Sequence, residues 1–334
     1  MVSRVRFGLI GCGNQGRYLG RTLTKVDGAE VVAVADVDKS ALEKAVEETG
    51  SKESYIDYHE LLNKNYIDAV IVAVPHNLLK NVSVEAAEKG KHVFVEKPMG
   101  INRHEGREVV DTCKKAGVKL TVGYCLRFNS TVRRMKELID GDAVGKIDLV
   151  TAIRENSTSN WSRWLLNPDM GGGILLYLGS HLIDETLWMV GSGVKRVYGE
   201  VNISPELKVD ETDVFSIRFK NGVLANLGLS MLSTRRIHRV SIVGTEGTIT
   251  SDPFEGSLEM YSKRLGGYSY PTSLKITDDP NRSMYMLELE DFVKSITEDR
   301  EPYITGKDGL KVLEVIDAVF ESSKTGRPVN LPMD

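Results

Sequence analysis

The sequence predicts an α/β chain in two parts, a doubly wound parallel sheet first and an α+β domain with a mostly antiparallel sheet second. Three observations predict it. A length of 334 residues suits about two domains. Up to Val122, short β-branched apolar runs alternate with stretches of helical spacing, the pattern of parallel strands covered on both faces. Beyond Gly123, strict apolar/polar alternation broken by turn residues takes over. The expected division is therefore 1–122 and 123–334, with the C-terminal segment free to pack back on the first domain.

In chain order, the first part has expected strands at Val5–Ile10, Val31–Ala35, Ala69–Val74, Val93–Val95 and Lys119–Val122. Lys39–Glu48, Leu78–Lys89 and Arg103–Lys115 carry charged faces at helical spacing between them. In the second part Ser130–Asp140 reads as a helix, Ile147–Arg154 as a strand and Gly173–Met189 as a long apolar helix. Asp213–Lys220 sets Phe215, Ile217 and Phe219 against Ser216, Arg218 and Lys220 on opposite faces. Asn221-Gly222 and a second alternating run, Val223–Met231, then predict a two-residue hairpin. Val240–Val243 and Gly247–Thr250 continue the sheet, Asp278-Asp279-Pro280-Asn281 is an exposed loop, and Met284–Thr297 and Leu310–Ser322 are closing helices.

Composition narrows the function. With 43 Lys plus Arg against 47 Asp plus Glu, the net charge of −4 offers no basic field for nucleic acid or an anionic membrane. Ala69–Val74 is far too short to cross a bilayer, and the N-terminal apolar run breaks at Gly11 and Gly13, unlike a signal peptide. Cys12, Cys113 and Cys125 are widely spaced and form no C-x-x-C pair, which argues against a disulfide framework or a zinc site and for a cytoplasmic protein. No metal is expected.

The first positive signal is Gly11-Cys12-Gly13-Asn14-Gln15-Gly16, a G-x-G-x-x-G between a strand and a helix. Glycines there permit a tight turn, close approach of backbone to a pyrophosphate, and close helix–strand packing, while the helix N-terminus offers free N–H groups to the anion. Cys12 reads as a small space-filler whose thiol is open to oxidation. Asp36 ends the second strand, twenty residues after Gly16, where a carboxylate bonds the adenosine ribose and repels a 2′-phosphate. This favours NAD over NADP.

Two further loops leave strand ends, where open α/β sheets bind ligands. One is Val74-Pro75-His76-Asn77 and the other Glu96-Lys97-Pro98, in which Pro98 restricts Lys97 to extended geometry. By itself Glu96-Lys97 reads equally as a surface ion pair. Gly171-Gly172-Gly173 opens the helix on which Tyr177, His181 and Asp184 share one face, with Glu185 beside it. A histidine on so apolar a helix is by itself more often a packed core residue than an acid or base.

The order G-C-G-N-Q-G, A-D-V-D, V-P-H-N, E-K-P, G-Y-C-L-R-F-N and G-G-G-I-L-L-Y-L-G-S-H-L-I-D resembles the Gfo/Idh/MocA family of oxidoreductases from Val5 to Pro328. The resemblance implies an N-terminal Rossmann domain and a C-terminal domain with a large open sheet. It further implies hydride transfer between NAD and a hydroxyl or carbonyl carbon of a sugar, a cyclic polyol or a sugar derivative. It assigns Lys97 as catalytic beside nicotinamide and substrate, suggests a cis Lys97–Pro98 bond, and aligns His181 with the family's catalytic histidine. A lysine beside a cationic nicotinamide has a lowered pKa, suiting it to orient or deprotonate a hydroxyl.

Tyr177 departs from the family, which usually carries Asp one helical turn before that histidine. Three readings follow: chemistry resting on Lys97 and His181 alone, a proton relay shared with Tyr177, or lost catalysis with retained binding in an NAD-binding sensor. Lys80, where the family often has His, is a peripheral departure. Arg127 aligns with a segment near nicotinamide and substrate, though a domain-junction salt bridge is an equal reading. Trp161 and Trp164 are suited either to stacking on sugar faces or to packing their own loop, and Asn156 and Asn160 are placed towards the cleft. The antiparallel sheet is expected to form a homodimer or homotetramer, as it does in the family.

Overall fold

The computed structural model describes residues 4–158, 161–265, 267–277, 279 and 282–333. Asn160 and most of the expected loop at Asp278, Pro280 and Asn281 lie outside the described residues. The chain divides into two compact units, one of Met1–Cys125 with Tyr285–Lys311 and one of Leu126–Met284 with Val312–Asp334. The first unit thus runs three residues past the expected 1–122 and takes in a helix from near the C-terminus.

Among the described residues the first unit holds a parallel sheet of six strands. These are β1 (Val5–Ile10), β2 (Ala29–Ala35), β3 (Glu53–Tyr55), β4 (Ala69–Val72), β5 (His92–Val95) and β6 (Leu120–Val122). Their order is β3-β2-β1-β4-β5-β6 and every pairing is parallel. The strand order reverses between β1 and β4, the switch point at which doubly wound sheets open a crevice. The connecting helices are α1 (Asn14–Leu23), α2 (Lys39–Thr49), α3 (Tyr58–Leu62), α4 (His76–Glu88) and α5 (Arg103–Ala116).

The helix α8 (Met284–Thr297) belongs here because of its apolar face. Phe292 is fully buried and packs edge-on against Phe7 and Phe94 at 6.1 and 6.0 Å between ring centroids. Such a ring contributes roughly 1.5–3 kcal/mol by leaving water.

The second unit begins with α6 (Ser130–Asp140), whose start is set by Asn129 accepting from the Thr131 and Val132 N–H groups. Among the described residues its sheet has nine strands: β7 (Ile147–Ser157), β8 (Val194–Ile203), β9 (Asp210–Phe219), β10 (Leu224–Ser230), β11 (Leu232–Gly244), β12 (Gly247–Asp252), β13 (Ser257–Ser262), β14 (Gly267–Lys275) and β15 (Val329–Asn330). The order is β14-β13-β12-β11-β7-β10-β9-β8-β15, antiparallel except where β7 runs parallel to β10. Phe215, Ile217, Phe219, Leu227, Leu229 and Met231 are buried on one face, while Leu149, Ile153, Tyr198, Val214 and Leu224 are exposed.

The Asn221-Gly222 hairpin has a three-residue loop, not the expected two. Val223 pairs with Phe219, and Gly222, at φ +96°, donates its N–H to the Phe219 carbonyl. This is a type I turn closed by a left-handed glycine, the next commonest hairpin after the two-residue forms.

The expected continuous helix over Gly173–Met189 is also different. Leu175–Gly179 is a π-helical turn, followed by α7 (Ser180–Val190). The wider turn rotates Tyr177 relative to His181, so their four-residue spacing no longer stacks them as in an α-helix. The last helix, α9, spans Gly306–Thr325.

Candidate active site

In the first unit the glycine loop follows β1 at the switch point. Gly11 has φ +92°, and a Cβ there would lie 2.3 Å from the Ala73 carbonyl oxygen. At Gly16 a Cβ would fall 1.9 Å from the Gly11 carbonyl oxygen, so helix and loop close only around glycine. Gly13, by contrast, faces open space and is exposed, as is Asn14.

Gly13 is the N-cap of α1 and supplies no side-chain hydrogen bond, and Pro75, which starts α4 at the end of β4, supplies none either. The helices α2, α3 and α5, away from the switch point, are capped by Asp38, Asp57 and Asn102. Bare helix starts at the switch point are what a pyrophosphate requires. Beside them Val74, Pro75 and Asn77 are half-buried, His76 is buried, and the buried Asn77 Oδ1 meets no protein donor among the described residues. These residues fit a dinucleotide.

Asp36 is positioned by the backbone it faces. One carboxylate oxygen accepts from the Cys12 N–H at 2.5 Å and the other from the Asp38 N–H at 2.8 Å. That pins the carboxylate against the glycine loop, where a 2′-phosphate would meet its charge. Cys12 itself is buried, its Sγ directed at the Ala35 carbonyl, and burial beside Asp36 pushes its thiol up to about 12. The expected susceptibility to oxidation is therefore corrected, since the thiolate is the reactive form.

At the end of β5, Glu96 and Lys97 are buried rather than a surface pair. Glu96 accepts from Gln15 Nε2 at 2.8 Å and from the Lys97 N–H at 3.2 Å, which ties the lysine's backbone to the glycine loop. Burial raises the Glu96 carboxyl above the ordinary range, opposed by Lys97 and the Gln15 hydrogen bond. The Lys97–Pro98 peptide is cis.

In the second unit His181 is buried at the start of α7, and two buried polar links fix that helix. Arg127 grips Asp184 with Nε at 2.9 Å and Nη2 at 2.6 Å, its guanidinium also lying 5.7 Å from the Trp188 ring centroid. Arg127, expected as a cofactor or substrate contact or as a domain-junction bridge, forms this ion pair within the second unit. Glu185 meets His238 Nε2 at 2.7 Å, and Arg154 meets the opposite ring nitrogen. Because Arg154 donates to Nδ1, His238 is neutral with its proton on Nε2, consistent with burial lowering its pKa. Neither link was visible in the sequence, for both join residues more than fifty positions apart.

Tyr177 is half-buried and meets Trp161 edge-to-face at 5.0 Å. Trp164 lies half-buried in a short 3-10 turn, Arg163–Leu166. The structure therefore brings Gln15, Glu96 and Lys97 together in one unit and Trp161 with Tyr177 in the other. Among the described residues no group of three or more His, Cys, Asp or Glu is arranged to hold a metal, and no helix is long and apolar enough to cross a membrane.

A reversing parallel sheet with a glycine loop, helix starts without side-chain caps and a carboxylate held against that loop make a dinucleotide-binding arrangement. The description "Oxidoreductase family, NAD-binding Rossmann fold" matches residues 5–124, and the "Oxidoreductase family, C-terminal alpha/beta domain" matches residues 136–331. The chain belongs to the Gfo/Idh/MocA family of oxidoreductases, and its first unit is the NAD-binding domain.

The chain is 29% identical over 338 aligned residues to myo-inositol 2-dehydrogenase of Thermotoga maritima, covering 98% of each protein. It is 28% identical to scyllo-inositol 2-dehydrogenase (NAD(+)) of Bacillus subtilis, covering 99% of this chain and 97% of that protein. A levoglucosan dehydrogenase solved with NADH and levoglucosan shares the fold at TM-score 0.92 and 21% identity, over 99% of this chain and all of that one.

Proposed function

We propose that this protein is a cytoplasmic NAD-dependent dehydrogenase acting on a hydroxyl-bearing carbon of a sugar, an inositol-like cyclic polyol or a sugar derivative. The observation that carries the reading is the buried Glu96-Lys97 pair at a strand end, hydrogen-bonded to the glycine loop through Gln15. A buried lysine whose backbone is tied to the glycine loop supports Lys97 as the group that handles the proton. The inositol and sugar dehydrogenases among its relatives support the substrate class.

NAD, when bound, supplies the hydride acceptor. Gly11, Cys12, Gly13, Asn14, Gln15 and Gly16 cradle its pyrophosphate, Asp36 takes the ribose hydroxyls, and Val74, Pro75, His76 and Asn77 line its path. Lys97 accepts the hydroxyl proton as the carbon loses hydride, and in the reverse direction returns it. His181 and Tyr177 hold the substrate oxygen, Tyr177 as a neutral hydrogen-bond donor where relatives carry a carboxylate. Trp161 and Trp164 offer aromatic faces to the sugar ring, and Arg127 acts by holding α7. The exposed apolar side chains Leu149, Ile153, Tyr198, Val214 and Leu224 support assembly into a homodimer or homotetramer through the sheet. Sedimentation at micromolar concentration tests this, and a monomer removes that part of the proposal.

The activity is tested by following NADH absorbance with NAD against a panel of inositols, aldoses and sugar derivatives. Turnover of at least one class is expected. Tight NAD binding with no NADH formed, and no rescue by Tyr177→Asp, would instead support the non-catalytic sensor.

A further inference from the structure

Beneath the triple glycine lies a pair of acids that the proposed chemistry does not use. Asp210 and Asp213, at the start of β9, are 3% and 0% exposed. Asp210 Oδ2 accepts from the Leu175 N–H at 2.6 Å, the first residue of the π-helical turn. Its other oxygen occupies the space where a Cβ on Gly173 would fall, 1.9 Å away, and Gly173 has φ +111°. The last glycine before the helix is thus required by Asp210 as well as by its own backbone.

Asp213 is the counterpart. Neither of its oxygens meets a protein donor among the described residues, and its cross-strand neighbours are Val201 on β8 and Leu229 on β10, both apolar. An ionised carboxylate so placed would cost several kcal/mol. A protonated one has a hydrogen to give, and the register shift at Glu211 turns Asp210, three residues back, to the same buried face of β9 as the acceptor.

We propose that Asp210 and Asp213 share one proton and together cap the π-helical turn Leu175–Gly179, making both of them positioning residues for Tyr177 and His181. Asp213 gives its proton to Asp210, and Asp210 stays anionic against the helix start, where N–H groups and the dipole favour negative charge. Asp210's grip on the Leu175 N–H at the turn's first residue then helps set the wider winding that aims Tyr177. Burial and the neighbouring Asp210 charge hold the Asp213 carboxyl up to about 9, and burial also raises Asp210. The activity arm below rests on the proposed function; the proton arm does not.

The proton arm is denaturant unfolding across pH for the wild type and Asp213→Asn, whose amide also donates to Asp210 but cannot titrate. In the unfolded chain Asp213 ionises near pH ~4, whereas in the native state it keeps its proton to about 9. Linkage therefore requires the wild-type unfolding constant to rise about tenfold per pH unit relative to Asp213→Asn between about pH 5 and 9, and the two to run parallel above that. Parallel behaviour over the whole range would overturn the proposal. Should the variant not fold, infrared spectra across pH decide it, with Glu96→Gln removing one further buried carboxyl of raised pKa from the region of the band. A carboxylic-acid band that bleaches with a midpoint near 9 supports the shared proton, and no such band at neutral pH refutes it.

In the activity arm, Asp213→Ala lowers kcat at least tenfold with KM for NAD unchanged, and Asp213→Asn restores most of it. Equal losses in both variants would refute positioning by a donated hydrogen. Absence of any dehydrogenase activity in the wild type would count against the proposed function and leave the proton arm standing.

Discussion

Gln15 and Glu96 are joined by a 2.8 Å hydrogen bond from the side chain of the glycine loop to the carboxyl preceding Lys97. The segment that shapes the dinucleotide cradle and the segment that carries the candidate base are therefore one hydrogen-bonded unit. Glu96 accepts on both oxygens, which orients it as a strut rather than as a second reactive acid.

Lys97→Ala is expected to lower turnover by ~10²–10⁴-fold, the usual contribution of a general acid–base group. NAD binding, followed by calorimetry, should persist because the cradle is untouched. A near-normal kcat would remove Lys97 from the chemistry.

Glu96 gives a pH dependence of defined sign. Burial raises its pKa in the native state, so the folded protein holds a proton that the unfolded chain releases near pH ~4.3. The stability tied to this group is complete below that value and is lost as pH rises through the folded value. Glu96→Gln, unable to titrate, should lose less stability than wild type as pH rises above ~4.3 in denaturant titrations. Curves that stay parallel would show Glu96 ionised throughout.

Asp36→Ser should raise KM for NAD by ~10–100-fold, corresponding to about 1.5–3 kcal/mol for hydrogen bonds to a charged acceptor. It should improve NADP in relative terms by removing the repelling charge. Steady-state kinetics with both cofactors measure the ratio, and an unchanged preference would mean that Asp36 does not read the ribose.

The Arg127–Asp184 pair has side chains 7% and 2% exposed. Arg127→Met alone strands a buried carboxylate and should cost about 3–5 kcal/mol. The double variant Arg127→Met/Asp184→Leu should recover much of that loss. Thermal unfolding of the two single variants and the double measures the coupling, and simple additivity would mean that the pair does not anchor α7.

Much of the fold was readable locally. The helix at Ser130–Asp140 is bounded as expected because Asn129 caps it and Gly141 follows, both neighbours in sequence. The strand Val5–Ile10 and the glycine loop were legible because continuous burial and the needs of a tight turn leave a direct pattern. The short β3 and α3 went unseen because three and five residues give no period to count. The π-helical turn was hidden for another reason: Asp210, thirty-five residues away, holds its first N–H. The same holds for the Glu185–His238–Arg154 chain, assembled across α7, β11 and β7 by sheet register rather than by spacing. The loops at strand ends were legible, whereas side-chain partners far away in sequence were not.

The bare starts of α1 and α4 bear on how much of this protein a cell retains. A helix start without a side-chain cap is a standing weakness in the unliganded domain, and a bound diphosphate supplies the acceptors that Asp38 and Asn102 supply elsewhere. The coenzyme is then part of the folded domain as well as a reactant, adding about 2.7 kcal/mol when present at a hundred times its dissociation constant. Depletion of the cofactor pool would leave the chain easier to unfold and to degrade, linking its abundance to the supply of the molecule on which it works.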